Sequence, residues 1–427
     1  MAEQTEQSCK LHPQTMCPAF GALRVLTRIE GAHPAMITDT GCLYGLTFVT
    51  HFYGARKSLI APQLGTKELT SGTMMEGTYA AINKAAEEPG CRLVPVISLC
   101  VAETQGMSEE LLPKKVGNAD VVLVRVPAYA IHSHPEAKDV AVSALLRRYA
   151  ADVNPDEGEE KTLLLLGEIF PADPIAIDAL LRKMGASVGV ALPSRSIDDF
   201  IRAGECGAVA AMHPFYRASV GFLRERGMPV VGGAPIGRDA TTAWLKSVGS
   251  ALKLDPALVA RAAEEERAAS DAVLKAQPLS GTILVTGYEG NELGYAKLLV
   301  EAGANVPYVS TSIGQGVLTA GDDAWLKAHG TKRVVYRKSL EEDVEALNEF
   351  GADLVIGTTP FAAIAKERGI PGVYFTNMLS VRPFFLSGGL AATIGLIKGL
   401  LDRTPRYKFM EEFFTVLPNR PQPATVS

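Results

Sequence analysis

From Arg92 onward the chain alternates short apolar runs with segments whose apolar residues recur every three or four positions. The runs are Arg92–Val101, Val121–Tyr129, Thr162–Ile169, Val188–Leu192, Ala208–Met212, Pro229–Gly232, Thr282–Thr286, Val306–Ser310, Arg333–Tyr336, Leu354–Ile356 and Gly372–Phe375. Short apolar runs bounded by Gly, Pro or charge read as strands buried on both faces. Between them, Pro174–Met184, Tyr216–Arg226, Leu293–Glu301 and Phe361–Arg368 carry apolar residues at helical spacing, and most stop close to a Gly. Gly is the usual helix stop. Strand and helix in regular alternation predict an α/β chain of doubly wound, Rossmann-like parallel sheets with crossover helices.

Two breaks divide this pattern. Asp152–Lys161 is an acidic, turn-rich linker, and the charged helical stretch Pro256–Gln277 ends at Pro278 before a new strand. A chain of 427 residues holds about three domains of ~150 residues. The expected domains are 1–151, 152–277 and 278–427, with a Pro-rich tail at Pro418–Ser427. The second and third look like copies of one unit. Gly185-Ala-Ser-Val188 answers Gly303-Ala-Asn-Val306 at an offset of 118, and Glu225-Arg-Gly-Met-Pro229 answers Glu367-Arg-Gly-Ile-Pro371 at an offset of 142. An insertion of 24 residues around Ser312–Val344 accounts for the difference. The unit is a helix, a Gly stop and a buried strand, then a second helix, Gly, Pro and strand.

Composition adds exclusions. The net charge is −5 and the sequence holds no Lys/Arg cluster, which argues against a nucleic-acid surface. No uninterrupted apolar stretch of ~18 residues occurs, and Met1–Thr15 lacks an apolar leader core, so a cytoplasmic protein is expected. Its six cysteines are then reduced thiols, for which metal or cluster ligation is a better default than disulfides.

The motifs narrow the chemistry. The dipeptide Gly-Lys is absent, so there is no P-loop, and any ATP belongs to a partner. Gly287-Tyr-Glu-Gly290 and Gly314-Gln-Gly316 read as strand-to-helix turns. His132-Ser-His134 could present two imidazoles on one face but has no third ligand nearby, and His51 and His213 read as packing residues. There is no Cys-x-x-Cys, which excludes zinc ribbons and bacterial ferredoxin runs. Cys42 lies in a Gly-flanked turn and Cys100 ends an apolar strand, where open α/β sheets place ligands. Buried core thiols fit the same spacing. Cys206, in the second unit, reads as structural.

Met16-Cys-Pro-Ala-Phe-Gly21, the run Thr38-Asp-Thr-Gly-Cys-Leu-Tyr-Gly-Leu-Thr-Phe-Val-Thr-His-Phe-Tyr-Gly-Ala-Arg56, Ser98-Leu-Cys-Val-Ala102 and Pro135-Glu-Ala-Lys-Asp139 together resemble the Y-type subunits of chlorophyllide a reductase, within the nitrogenase component-one-like family. Cys17, Cys42 and Cys100 stand 25 and 58 residues apart, similar to that family's three cluster cysteines. The resemblance implies that they ligate a [4Fe–4S] cluster shared with a Z-type partner subunit, which supplies the fourth ligand in an α2β2 heterotetramer. It also implies an ATP-hydrolysing iron–sulfur donor, the X subunit, and two-electron reduction of the ring B C7=C8 bond of chlorophyllide a in bacteriochlorophyll biosynthesis. A large flat substrate calls for an apolar, aromatic pocket, for which Phe48, Phe52, Tyr53, Phe384 and Phe385 are candidates. Rival readings are the N-type subunit of dark-operative protochlorophyllide reductase, a nitrogenase cofactor-assembly scaffold and a cluster-free sugar-nucleotide transferase.

Overall fold

The computed structural model describes residues 15–52, 59–62, 64–152, 159–167, 173–381 and 383–416; within these, the side chains at 48–52, 159, 380–381 and 412–416 are left undescribed. The described strands form three sheets. Among the described residues no helix is long and apolar enough to cross a membrane.

The first sheet contains β1 (Ala35–Ile37), β2 (Leu93–Ser98), β3 (Lys115–Val116) and β4 (Ala119–Arg125), in the order β1-β2-β4-β3. β1, β2 and β4 are parallel, and the short β3 hairpins antiparallel onto β4. Every residue of β2 is buried, as a central strand covered on both faces requires. Ala35, Ile37, Val94 and Val96 pack with Ala81, Ile82 and Ala85 of the helix Met74–Ala86 to make one face of the core.

The second sheet contains β5 (Glu159–Leu166), β6 (Ser187–Leu192), β7 (Cys206–Ala211) and β8 (Val230–Val231), ordered β6-β5-β7-β8. The third contains β9 (Ile283–Thr286), β10 (Tyr308–Thr311), β11 (Arg333–Tyr336), β12 (Leu354–Gly357) and β13 (Gly372–Tyr374), ordered β11-β10-β9-β12-β13. With β11 removed, the two orders are the same. β11 lies inside the segment the repeat offsets mark as an insertion, so both sheets are one doubly wound unit, once with an added edge strand. The matched glycines do the same work in each copy. Gly185 and Gly303 sit at φ 82° and 100°, and Gly227 and Gly369 at 84° and 69°, the left-handed region that stops a helix and turns the chain into a strand.

The chain forms two compact units. One holds Thr15–Pro235 with Ala240–Glu265, and therefore both of the first two sheets; the other holds Ile236–Asp239 and the chain from Glu266, including the third sheet. In the first unit the sheets are tied by buried chemistry. The Asp139 carboxylate, in the helix His134–Tyr149, accepts from the backbone N–H groups of Ala218 and Ser219 at 2.7 and 2.9 Å and from the Ser219 hydroxyl at 2.7 Å. It thereby caps the helix Arg217–Glu225.

Candidate cluster site

The three parallel strands of the first sheet end side by side, since Ile37 pairs with Ser98 and Ser98 with Arg125. Past these ends the chain makes three turns. One carries Cys42 five residues after Ile37, one carries Cys100 two residues after Ser98, and one carries Ala128 three residues after Arg125. This is the carboxyl edge where open sheets bind ligands.

Each of the three cysteines of the resemblance lies at a helix N-terminus. Cys17 is the N-cap of Pro18–Leu26, Cys42 is the third residue of Thr40–Phe52, and Cys100 is the first of Cys100–Thr104. Helix N-termini present free N–H groups and positive dipole ends, which favour thiolate over thiol. The sequence reading put Cys42 in a Gly-flanked turn and Cys100 at the carboxyl end of a strand. Cys42 is instead helical because Asp39 caps its helix: the carboxylate accepts from the N–H groups of Gly41 and Cys42 at 2.9 and 3.0 Å. Cys100 lies beyond β2, and its sulfur accepts the Ala128 N–H at 3.1 Å. Val121–Tyr129 accordingly stops being a strand at Arg125, since Pro127 has no N–H for the ladder. The Arg125 guanidinium bonds Glu103 with Nε at 2.8 Å and with Nη2, holding the Cys100 helix on β4.

The thiols feel one another. Burial pushes the Cys17 thiol up, and Cys100 adds to the rise. Burial also raises Cys42, followed by the hydrogen bond and charge of Asp39, with a contribution from Cys17. Desolvation pulls the Asp39 carboxyl up, but its hydrogen bonds from Cys42 and Gly41 win and hold it below the usual carboxylate range. Among the described residues, no group of three His, Cys, Asp or Glu side chains closes on a point as ligands of a single ion would. A cube of four irons takes one thiolate per corner, so its ligands stand further apart than those of one ion. Cys42 and Cys100 stand on neighbouring turns at the carboxyl edge of one sheet, and Cys17 couples electrostatically to both. Cys17 and Cys42 are exposed and Cys100 is half-buried. Tyr44 and Tyr129, beside Cys42 and Ala128 in sequence, are 78% and 56% exposed. Aromatic rings standing in solvent are typical of partner-binding surfaces.

Phe48 and Phe52 have no described side chain, and Tyr53 lies outside the described residues. Phe384 and Phe385 are 2% and 3% exposed. They pack edge to face on each other at 4.9 Å, and Phe384 packs on Tyr295 at 5.6 Å, a core position within the second unit. Cys206 is buried at the start of β7 with its sulfur 3.6 Å from the Arg202 carbonyl. His213 is buried against Phe215 at 5.2 Å, and His134 against Phe20 at 6.2 Å. The turn Gly287–Gly290 is closed to a phosphate. The N–H groups of Glu289 and Gly290 donate to the Glu292 carboxylate at 2.8 and 2.9 Å, as does the Thr311 hydroxyl at 2.7 Å. Sequence reasoning missed Asp39 and Ala128. Asp39 was findable, as an Asp standing just before a helix-forming run.

Residues 17–394 match the nitrogenase component 1 type oxidoreductase family, and the chain belongs to that family of oxidoreductases. It is 38% identical over 410 residues to the chlorophyllide reductase 52.5 kDa chain of Cereibacter sphaeroides, covering 94% of this chain and 82% of that protein. Identity to the light-independent protochlorophyllide reductase subunit N of Mesostigma viride is 21% over 384 residues, covering 83% and 84%. A solved nitrogenase structure, Cp1 at pH 6.5, superposes with a TM-score of 0.78 at 18% identity over 96% of this chain and 97% of the other. That likeness establishes the nitrogenase component 1 fold.

Proposed function

We propose that the chain is the Y-type subunit of a chlorophyllide a reductase, and that Cys17, Cys42 and Cys100 hold three corners of a [4Fe–4S] cluster completed by a Z-type subunit. The observation that carries this reading is the shared carboxyl edge of β1, β2 and β4, which brings Cys42 and Cys100 to neighbouring turns. Electrostatic coupling ties Cys17 to both. The substantial identity to a chlorophyllide reductase chain over almost the whole length supports the substrate class.

When bound, the cluster supplies one-electron transfer between the donor protein and the substrate. This chain's part is to hold it. The Ala128 N–H stabilises the Cys100 thiolate, and the Arg125–Glu103 pair keeps the Cys100 turn on the sheet. The exposed thiols and Tyr44 form the face that the Z-type subunit covers, excluding water from the cluster. Reduction of the C7=C8 bond consumes two electrons and two protons and leaves a C–H bond on each carbon. The electrons come singly from the ATP-hydrolysing X-type protein, which accounts for the absence of a P-loop here. Phe48, Phe52 and Tyr53, downstream of Cys42, are the proposed aromatic lining for the ring.

The test is turnover by the co-purified Y and Z subunits with the ATP-dependent donor, offered chlorophyllide a and protochlorophyllide separately without oxygen. The bacteriochlorin absorbance must rise with chlorophyllide and ATP. Reduction of protochlorophyllide alone would assign the N-type role instead. An iron-bearing complex that turns over neither would point to the assembly scaffold.

A further inference from the structure

Two of the three proposed cluster sulfurs have unlike surroundings within this chain. Cys100 Sγ receives a backbone N–H from Ala128 at 3.1 Å. Cys42 instead stands against a carboxylate: Asp39 Oδ1 accepts its N–H at 3.0 Å, and its sulfur meets the side chains of both Asp39 and Thr38. Asp39 is anchored where it stands. Its Oδ1 accepts both the Gly41 and the Cys42 N–H, and Thr38 Oγ1 lies 3.5 Å from its Oδ2. Its backbone bridges Leu64, and Thr40 Oγ1 donates to the Leu64 carbonyl at 3.4 Å. Gly41 leaves no spare room, since a Cβ there would stand 3.1 Å from Asp39 Oδ1. The helix cap and the sulfur therefore share one carboxylate.

A neutral cap would serve the helix equally well, because Ser, Thr and Asn accept the same N–H groups. A carboxylate beside a ligating sulfur does something more. It opposes the added negative charge of a reduced cluster, whereas an N–H donor favours it. We propose that Asp39 is a positioning residue that holds Cys42 in place through its backbone and lowers the reduction potential of the bound cluster through its charge. Ala128 acts in the opposite direction at Cys100. A lower potential favours onward transfer of the electron to a ring that is hard to reduce.

This inference rests on the cluster reading, and the two fail separately. A wild-type complex without iron would remove the cluster itself. With iron present, the complexes carrying Asp39→Asn, Asp39→Ser and Asp39→Glu are compared by redox titration of the cluster's EPR signal, after iron analysis of each. Asn and Ser keep a cap and lose the charge, and Glu keeps the charge. The expected result is a more positive potential for Asn and Ser, by about tenfold in the one-electron equilibrium or ~59 mV, with Glu close to wild type. Wild-type potentials in all three variants would overturn the proposal. So would a Glu variant that shifts as far as Asn, because geometry rather than charge would then be responsible. Loss of iron in Asn and Ser with retention in Glu would also overturn it, making Asp39 a determinant of assembly.

Discussion

Gly21 lies one turn into the helix that Cys17 caps, at its crossing with the helix His134–Tyr149. A Cβ at Gly21 would stand 1.8 Å from the His134 carbonyl oxygen and 2.7 Å from its carbon, where ordinary contact begins at 3.4 Å. Both obstacles are backbone, so no side chain can swing aside. To accept Gly21→Ala, the helix must move by roughly the difference, about 1.6 Å, and Cys17 moves with it. Overpacking of this kind costs about 3 kcal/mol at the upper end of its range. The better helix propensity of Ala returns about 1 kcal/mol, leaving a net loss near 2 kcal/mol. The effect on the cluster is larger than that figure suggests, because metal–ligand distances tolerate only about 0.2 Å. The assay is iron content and thermal melting of the complex with the partner subunit. Gly45→Ala serves as the control, since a Cβ at Gly45 meets nothing within 4 Å. We expect Gly21→Ala to fold with a lowered melting temperature and lose most of its iron, and Gly45→Ala to keep both. Wild-type iron and melting in Gly21→Ala would refute the link from helix crossing to cluster.

Three further outcomes follow from the packing. Asp120 accepts from the Arg148 guanidinium and from Tyr149 Oη at 3.1 Å. Desolvation raises its carboxyl, but these donors outweigh it and hold the pKa below the usual range. Its stabilisation is therefore present above the unfolded value near 3.9 and is lost as pH falls through the lowered folded value. Asp120→Asn should lower stability by ~1 kcal/mol at pH 7, with the gap to wild type closing in melting curves as pH falls below the ordinary carboxylate range. Lys338 and Asp343 form a fully buried ion pair, and Asp343 also accepts from Tyr308 at 3.0 Å and Ser310 at 2.6 Å. Lys338→Met should cost about 3–5 kcal/mol in chemical denaturation, and Lys338→Met with Asp343→Leu should recover part of it. Phe384→Ala should destabilise by about 3–5 kcal/mol, as a core ring rather than a surface contact; a change within 0.5 kcal/mol would return Phe384 to the substrate candidates.

Legibility in the sequence followed the range of the interactions. The repeat was visible because its punctuation is local: each copy needs glycine at the same left-handed stops, and no other residue meets that demand as cheaply. β1 was invisible, since Ala35-Met36-Ile37 is three residues long and carries no period. Cys42 was read as a turn from its flanking glycines, although the Asp39 cap and the following Leu, Tyr and Leu already spelled a helix start. The Ala128 donor could not be seen, because a backbone N–H has no sequence signature and reaches Cys100 only when β2 and β4 pair. Phe384 and Phe385 were chosen for aromatic character alone, and their mutual packing is a tertiary fact.

The central claim is that three thiols of this chain ligate a shared cluster. The most direct measurement is iron and the visible spectrum of the chain co-expressed with its Z-type partner without oxygen, for wild type and Cys42→Ser. A brown complex with about four irons per heterodimer, lost or strongly diminished in Cys42→Ser, is the result predicted. A folded wild-type complex that is colourless and free of iron would contradict it.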